Sequence, residues 1–178
     1  MIRVCQGFDV SSRIQQDSFM QTGVGNMLQP GIKAPFFMLP DSNGRVRSLS
    51  EFAGKKVILY FYPKDNTSGC TKQACGFAEL YPRFTEKGAV VIGISADSTA
   101  SHQRFAEKYS LPFILLSDRE RTVMGEYDVL KEKKSSTGRE VYSTVRTTYI
   151  IDEQGYIEKA FGEVKAAENP SKMLEEIS

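Results

Sequence analysis

Two unbroken apolar runs constrain this chain more than anything else in it: VILYFY at Val57–Tyr62 and AVVIGIS at Ala89–Ser95. Both are rich in β-branched and aromatic residues, and neither alternates with polar positions. Such a run reads as a strand covered on both faces, because a strand with one wet face would alternate. A segment of helical length lies between the two and ends at Gly88. Strand, crossover helix and strand make the unit that builds a parallel sheet with helices packed on it.

The rest of the chain extends this pattern. Phe36–Leu39 and Arg45–Arg47 flank the turn DSNG and read as a hairpin; LSEFAG reads as a helical turn closed by Gly54. The crossover helix is expected from about Gly69 to Phe84, and Thr99–Tyr109 forms the next helix, with Ser98 or Thr99 as its N-cap. Phe113–Leu116 is a strand, followed by a helix through Glu126 and a polar loop or ribbon at KEKKSSTGREVYS. Arg146–Ile151 is a third long strand, turned at DEQG into Tyr156–Phe161, and a last helix runs over Asn169–Ile177 with Pro170 in its first turn. The expected fold is α/β, a thioredoxin-like fold with a central mixed sheet flanked by helices. Residues 1–28 are polar and lack either period, so they are expected to be a flexible N-terminal extension before a domain at 29–178, with Met27 as an alternative start.

Composition narrows the function. A net charge of +1 gives no electrostatic reason for a nucleic-acid or membrane partner. No apolar stretch is long enough to span a bilayer. Three cysteines in 178 residues are too few for a secreted disulfide framework, and the expected compartment is the cytoplasm. A metal site is not expected, since the single histidine and the four-residue gap between Cys70 and Cys75 supply no second ligand pair. Cys5 reads as an incidental thiol in the extension, His102 in SHQRFAEK as a solvated side chain, and the KEKK run as a solvated loop. Phe61, Tyr62 and Phe77 read as core and rim, and no GxGxxG follows AVVIGIS to hold a nucleotide.

The stretch YFYPKDNTSGC carries the chemistry. A buried strand runs into a loop containing Pro63, Thr67 and Gly69, which delivers Cys70 to the first turn of a helix. Free N–H groups and the positive end of the helix dipole favour a thiolate there. The carboxyl end of a central strand is also where open α/β sheets place their sites.

Pro63-x-x-x-Thr67-x-x-Cys70 resembles the active-site motif of peroxiredoxins, and YPKDNTSGCTKQAC resembles their bacterioferritin comigratory protein (PrxQ) subfamily. The likeness spans about Met27 to Ser178, including VRTTYIID, which resembles the family strand that carries an active-site arginine. It implies a thiol-dependent peroxidase for hydrogen peroxide and organic hydroperoxides, of the atypical 2-Cys type. Cys70 would be oxidised to a sulfenic acid and Cys75 would resolve it as an intramolecular disulfide. Thioredoxin or glutaredoxin would be the reductant, with no cofactor and a monomeric chain.

The implied roles fit the residue chemistry. Thr67 can exchange hydrogen bonds with thiolate and peroxide, together with the N–H groups of Gly69 and Cys70. Arg146 can stabilise the thiolate and the charge on the leaving oxygen. Pro63 stiffens the loop and can shield the sulfenic acid. An ordinary thiol of pKa about 8.5 is already ~3% thiolate at pH 7, so full ionisation gains only about 30-fold. The larger share of any rate must come from groups that stabilise the transition state.

Two positions depart from the subfamily pattern: Ser68 stands where proline is common, and Gln73 where glutamate is common. A glutamate would pair with Arg146, whereas Gln73 can only hydrogen-bond to it. The competing readings are a thiol–disulfide oxidoreductase, which generally uses C-x-x-C, and a non-catalytic redox-sensing or chaperone-like binding protein. Peroxide consumption coupled to thioredoxin oxidation separates the three.

Overall fold

The computed structural model describes residues 27–177. At its centre lies a five-stranded sheet built from strands β3 (Lys56–Phe61), β4 (Ala89–Ser95), β5 (Ile114–Ser117), β8 (Thr147–Ile151) and β9 (Ile157–Phe161), in the order β5-β4-β3-β8-β9. β3, β4 and β5 run parallel, while β8 and β9 join antiparallel, so the sheet is mixed. Helices α1 (Ser68–Glu86), α2 (Thr99–Tyr109) and α4 (Asn169–Glu176) and the short α3 (Thr122–Glu126) cover it.

The apolar runs occupy the two innermost positions. Along β3, Val57, Leu59 and Phe61 enter one core with Phe37, Ile92, Tyr127 and Tyr149. Ile58 and Tyr60, with Tyr62 just beyond, enter the other, against Phe77 and Phe84 of α1, Phe105 of α2 and Met173 of α4. Alternate side chains serve opposite faces of a strand, so a strand buried on both must be apolar throughout. Each fully buried side chain of this size contributes roughly 1.5–3 kcal/mol.

The hairpin sits slightly later than expected, as β1 (Met38–Pro40) and β2 (Val46–Ser48). LSEFAG forms a 3-10 turn over Leu49–Phe52. The KEKK segment is half of an exposed ribbon, β6 (Leu130–Lys134) paired with β7 (Glu140–Thr144). Ser98 is the N-cap of α2 and accepts a hydrogen bond from the Ser101 amide at 3.2 Å. Met27 and Leu28, assigned to the extension by composition, pack on the core, and the Leu28 amide donates to the Tyr149 hydroxyl at 3.2 Å. The remainder of the expected extension, with Cys5, lies outside the described residues.

Candidate active site

The site forms where β3 ends. The Tyr62 amide still donates to the Ile94 carbonyl at 3.2 Å, but Pro63 has no N–H and the ladder stops there. The chain turns through Asn66, at φ 58°, and enters α1 with Thr67 as its N-cap. Asparagine tolerates this left-handed conformation better than most residues.

Thr67 does not cap the helix in the usual way. Its hydroxyl donates to the Lys64 carbonyl at 3.1 Å, not to sulfur as the sequence reading allowed. Its lone pairs stay available, and it is exposed with Pro63 at the mouth of the site. The Thr71 amide makes the first intrahelical bond, to the Thr67 carbonyl at 2.8 Å. The amides of Ser68, Gly69 and Cys70 therefore precede the helical ladder, with the positive end of the dipole.

Cys70 lies in that first turn, 1% exposed, packed in the core that α1 shares with the sheet. Cys75 is on the same helix and half-buried, and both are free thiols. Arg146, immediately before β8, brings its Nη2 to 3.3 Å from the Cys70 sulfur. Its Nη1 donates to Oε1 of Gln73, which is fully buried. Gln73 thus holds the arginine by a hydrogen bond in the place where a glutamate would pair with it. Gly69 lies against this arginine: a Cβ there would meet Arg146 Nη2 at 3.4 Å, about van der Waals contact. Pro63, Thr67, Gly69, Cys70 and Arg146 gather at one end of the sheet, while Cys75 lies further along α1.

Three features escaped the sequence reading. Asn169, opening α4, accepts from Gln73 Nε2 at 2.8 Å and from Thr148 at 3.0 Å. Asp65, inside the active-site loop, is 5% exposed and accepts from Tyr62 at 2.7 Å, Ser101 at 2.8 Å and His102 Nδ1 at 2.9 Å. Its amide donates to Asp97 at 2.9 Å, tying the loop to the end of β4. Burial works to raise the Asp65 carboxyl, but the hydrogen bond and charge of His102, with the Tyr62 and Ser101 bonds, hold it below the usual carboxylate range.

The third feature corrects an expectation. His102 is not solvated but fully buried, with Nε2 3.1 Å from the Leu116 carbonyl and Nδ1 against Asp65. The reason is its place one helical turn before Phe105, on the face of α2 that packs on the sheet. Tyr60, near the cysteines, is buried; burial first, then the charges of Asp65 and Cys70, push its hydroxyl well above the ordinary tyrosine value.

A buried thiol in a helix's first turn, with an arginine donating to it, defines a site for thiol chemistry on a thioredoxin-like fold. Known proteins place it further. Residues 30–160 match the AhpC/TSA family. A putative peroxiredoxin Bcp of Coxiella burnetii is 49% identical over 138 residues, 78% of this chain and 91% of its own length. Peroxiredoxin Bcp of Bacillus subtilis is 40% identical over 148 residues, 83% of this chain and 94% of its own. The structure of the Xanthomonas campestris bacterioferritin comigratory protein, described with its alkyl peroxide reduction activity, superposes with a TM-score of 0.78 at 33% identity, covering 84% of this chain and 97% of that one. The chain belongs to the AhpC/TSA family as a peroxiredoxin of the Bcp/PrxQ kind, a thiol-dependent peroxidase. No helix among the described residues is long and apolar enough to cross a membrane.

Proposed function

We propose that this peroxiredoxin reduces hydrogen peroxide and organic hydroperoxides through Cys70, with Cys75 as the resolving thiol. The observation that carries the reading is the contact between Arg146 Nη2 and the Cys70 sulfur at 3.3 Å, in the first turn of α1.

The Cys70 thiolate attacks one peroxide oxygen along the O–O axis. The S–O bond forms as the O–O bond breaks, and the leaving alkoxide or hydroxide is protonated to alcohol or water, leaving a sulfenic acid on Cys70. Arg146 and the first-turn amides stabilise negative charge on sulfur and on the departing oxygen. Thr67, its own proton committed to Lys64, accepts a hydrogen bond from the protonated peroxide oxygen and orients it. Pro63 limits approach to the sulfenic acid at the mouth. Cys75 then attacks the Cys70 sulfur and expels water, forming the disulfide.

A dithiol donor, thioredoxin or glutaredoxin, returns both sulfurs to thiols by exchange. The chain works as a monomer in the reducing cytoplasm. The organic peroxide substrates are supported by the activity named for the Xanthomonas relative. The domain proper includes Met27 and Leu28, which pack on its core, so it starts two residues before the expected 29.

The test separates the two thiols. Cys70→Ser is expected to abolish peroxide consumption. Cys75→Ser is expected to form one sulfenic acid per chain, seen by mass after trapping, yet to lose thioredoxin-linked turnover. Equal loss of the first step in both variants would overturn the assignment.

A further inference from the structure

Asn169 opens α4 with its side chain 2% exposed, remote in sequence from every residue of the active-site loop. Its Oδ1 accepts two hydrogen bonds, from Gln73 Nε2 at 2.8 Å and Thr148 Oγ1 at 3.0 Å. Its Nδ2 is buried with no hydrogen-bond partner among the described residues. Gln73 is buried in turn and accepts from Arg146, whose other nitrogen reaches the Cys70 sulfur at 3.3 Å. A continuous line of contacts thus runs from α4 to the nucleophile: Asn169, Gln73, Arg146, Cys70.

The line has a fixed direction. A guanidinium only donates, so Gln73 must turn its oxygen to Arg146. The Gln73 nitrogen must then face Asn169, and Asn169 must answer with an oxygen. A flipped Gln73 would set its N–H groups against those of the arginine. Buried polar groups are rarely left unpaired, so the orphan Nδ2 requires a reason. That reason is the direction imposed from the sulfur end. The oxygen is what the site uses, and the amide nitrogen is the remainder. Both amides are neutral, so they orient the arginine without cancelling its charge.

We infer that Asn169 is a positioning residue for peroxide reduction, holding Gln73 in the one orientation that fixes Arg146 against Cys70. This rests on the reading that Arg146 stabilises the peroxide step. It makes helix α4 part of the active site, acting on the sulfur through Gln73 and Arg146.

The experiment measures the second-order rate of the reduced protein with hydrogen peroxide, by competition with a haem peroxidase. Asn169→Ala is expected to lose at least ~10-fold. Asn169→Asp retains the acceptor oxygen but adds a buried charge, and is expected to keep a rate above that of Asn169→Ala. Combining Gln73→Ala with Asn169→Ala should slow the enzyme no more than about 2-fold beyond Gln73→Ala alone, because the two act in series. A full-rate Asn169→Ala protein, or losses that multiply in the double variant, would overturn the proposal. Should Asn169→Ala not fold, Asn169→Ser, whose short side chain falls short of Gln73, takes its place with the same expected loss. Arg146→Ala runs beside these. If it keeps the full rate, the role given to Arg146 has failed; if it is slow while Asn169→Ala is not, only the positioning role has failed.

Discussion

Pro170 of α4 sits over Gly76 of α1 so closely that a Cβ on Gly76 would come within 2.9 Å of Pro170 Cγ. Real Cβ atoms do not tolerate that distance, so Gly76 is what lets α4 lie against the helix that carries both cysteines. A glycine beside Cys75 also eases local unwinding, since it costs about 1 kcal/mol relative to alanine in a helix interior.

Gly76→Ala opposes two effects. Alanine in a helix interior gains about 1 kcal/mol over glycine. Forcing extra volume into a packed contact costs about 1–3 kcal/mol. Overpacking is expected to win, lowering the melting temperature of the reduced protein by a few degrees at about 2–4 °C per kcal/mol. Adding Pro170→Ala removes the obstructing ring and should restore the melting temperature. If Gly76→Ala melts at or above the parent, the contact is not limiting.

Arg146 makes two bonds from one planar group, to Gln73 and to the Cys70 sulfur. A lysine keeps the charge but cannot hold both partners in that fixed geometry. Arg146→Lys should therefore lose at least ~10-fold in peroxide rate, equivalent to ~1.4 kcal/mol. Rapid-mixing kinetics of sulfenic acid formation give the number, and a full-rate lysine variant would show that charge alone suffices.

The parts legible in the sequence are those where a local pattern and burial coincide. The apolar runs locate β3 and β4, and Ser98 is the observed start of α2. The loop before Cys70 shows the thiol at a helix start because Pro63 and Gly69 lie next to it in the chain. β1 and β2 are displaced because Met38 and Val46 are more than half exposed, so no core face fixes their phase. The bond from Gln73 to Asn169 was illegible for another reason: it joins residues 96 positions apart, and only the docking of α4 creates it. His102 was misread although a signal existed. Its spacing from Phe105 puts it on the buried face, but a lone histidine among polar neighbours reads as solvated until its carboxylate partner is seen.

That partner sets a pH dependence. Asp65 is held below the usual carboxylate range, faced by His102 and Ser101 from α2, by Tyr62 from the end of β3, and with Asp97 on its amide. A carboxyl whose folded value is depressed contributes stability that is present above its unfolded value, about pH 4, and lost as the pH falls through the folded value. His102→Leu leaves the carboxylate buried without its strongest partner, a loss of about 3–5 kcal/mol for a broken buried pair. Urea unfolding from pH 3 to pH 7 should show the gap between parent and variant widest near neutrality and narrowing as the pH falls below about 4 towards the parent's depressed folded value. A constant gap across that range would mean that the histidine acts by packing alone.

Cys70 and Cys75 share one helix, and the disulfide proposed between them requires a motion. On an ideal α-helix residues five apart differ by ~7.5 Å of rise and ~140° of rotation, which sets their Cα atoms about 8.7 Å apart on different faces. A disulfide requires about 4.4–6.8 Å. The proposed bond therefore cannot close while α1 is regular between them, and forming it requires one or both cysteines to leave the helix. Gln73 lies between the two, so unwinding also pulls its amide from Arg146 and Asn169. Oxidation should then loosen the start of α4 along with α1. Hydrogen exchange of the oxidised protein is expected to be faster over residues 69–78 and around Asn169, and unchanged in β3 and β4. The reduced Cys75→Ser protein, which cannot form the bond, should exchange slowly throughout. A Cys70–Cys75 disulfide confirmed by mass in a protein whose α1 stays fully protected would defeat the geometric argument.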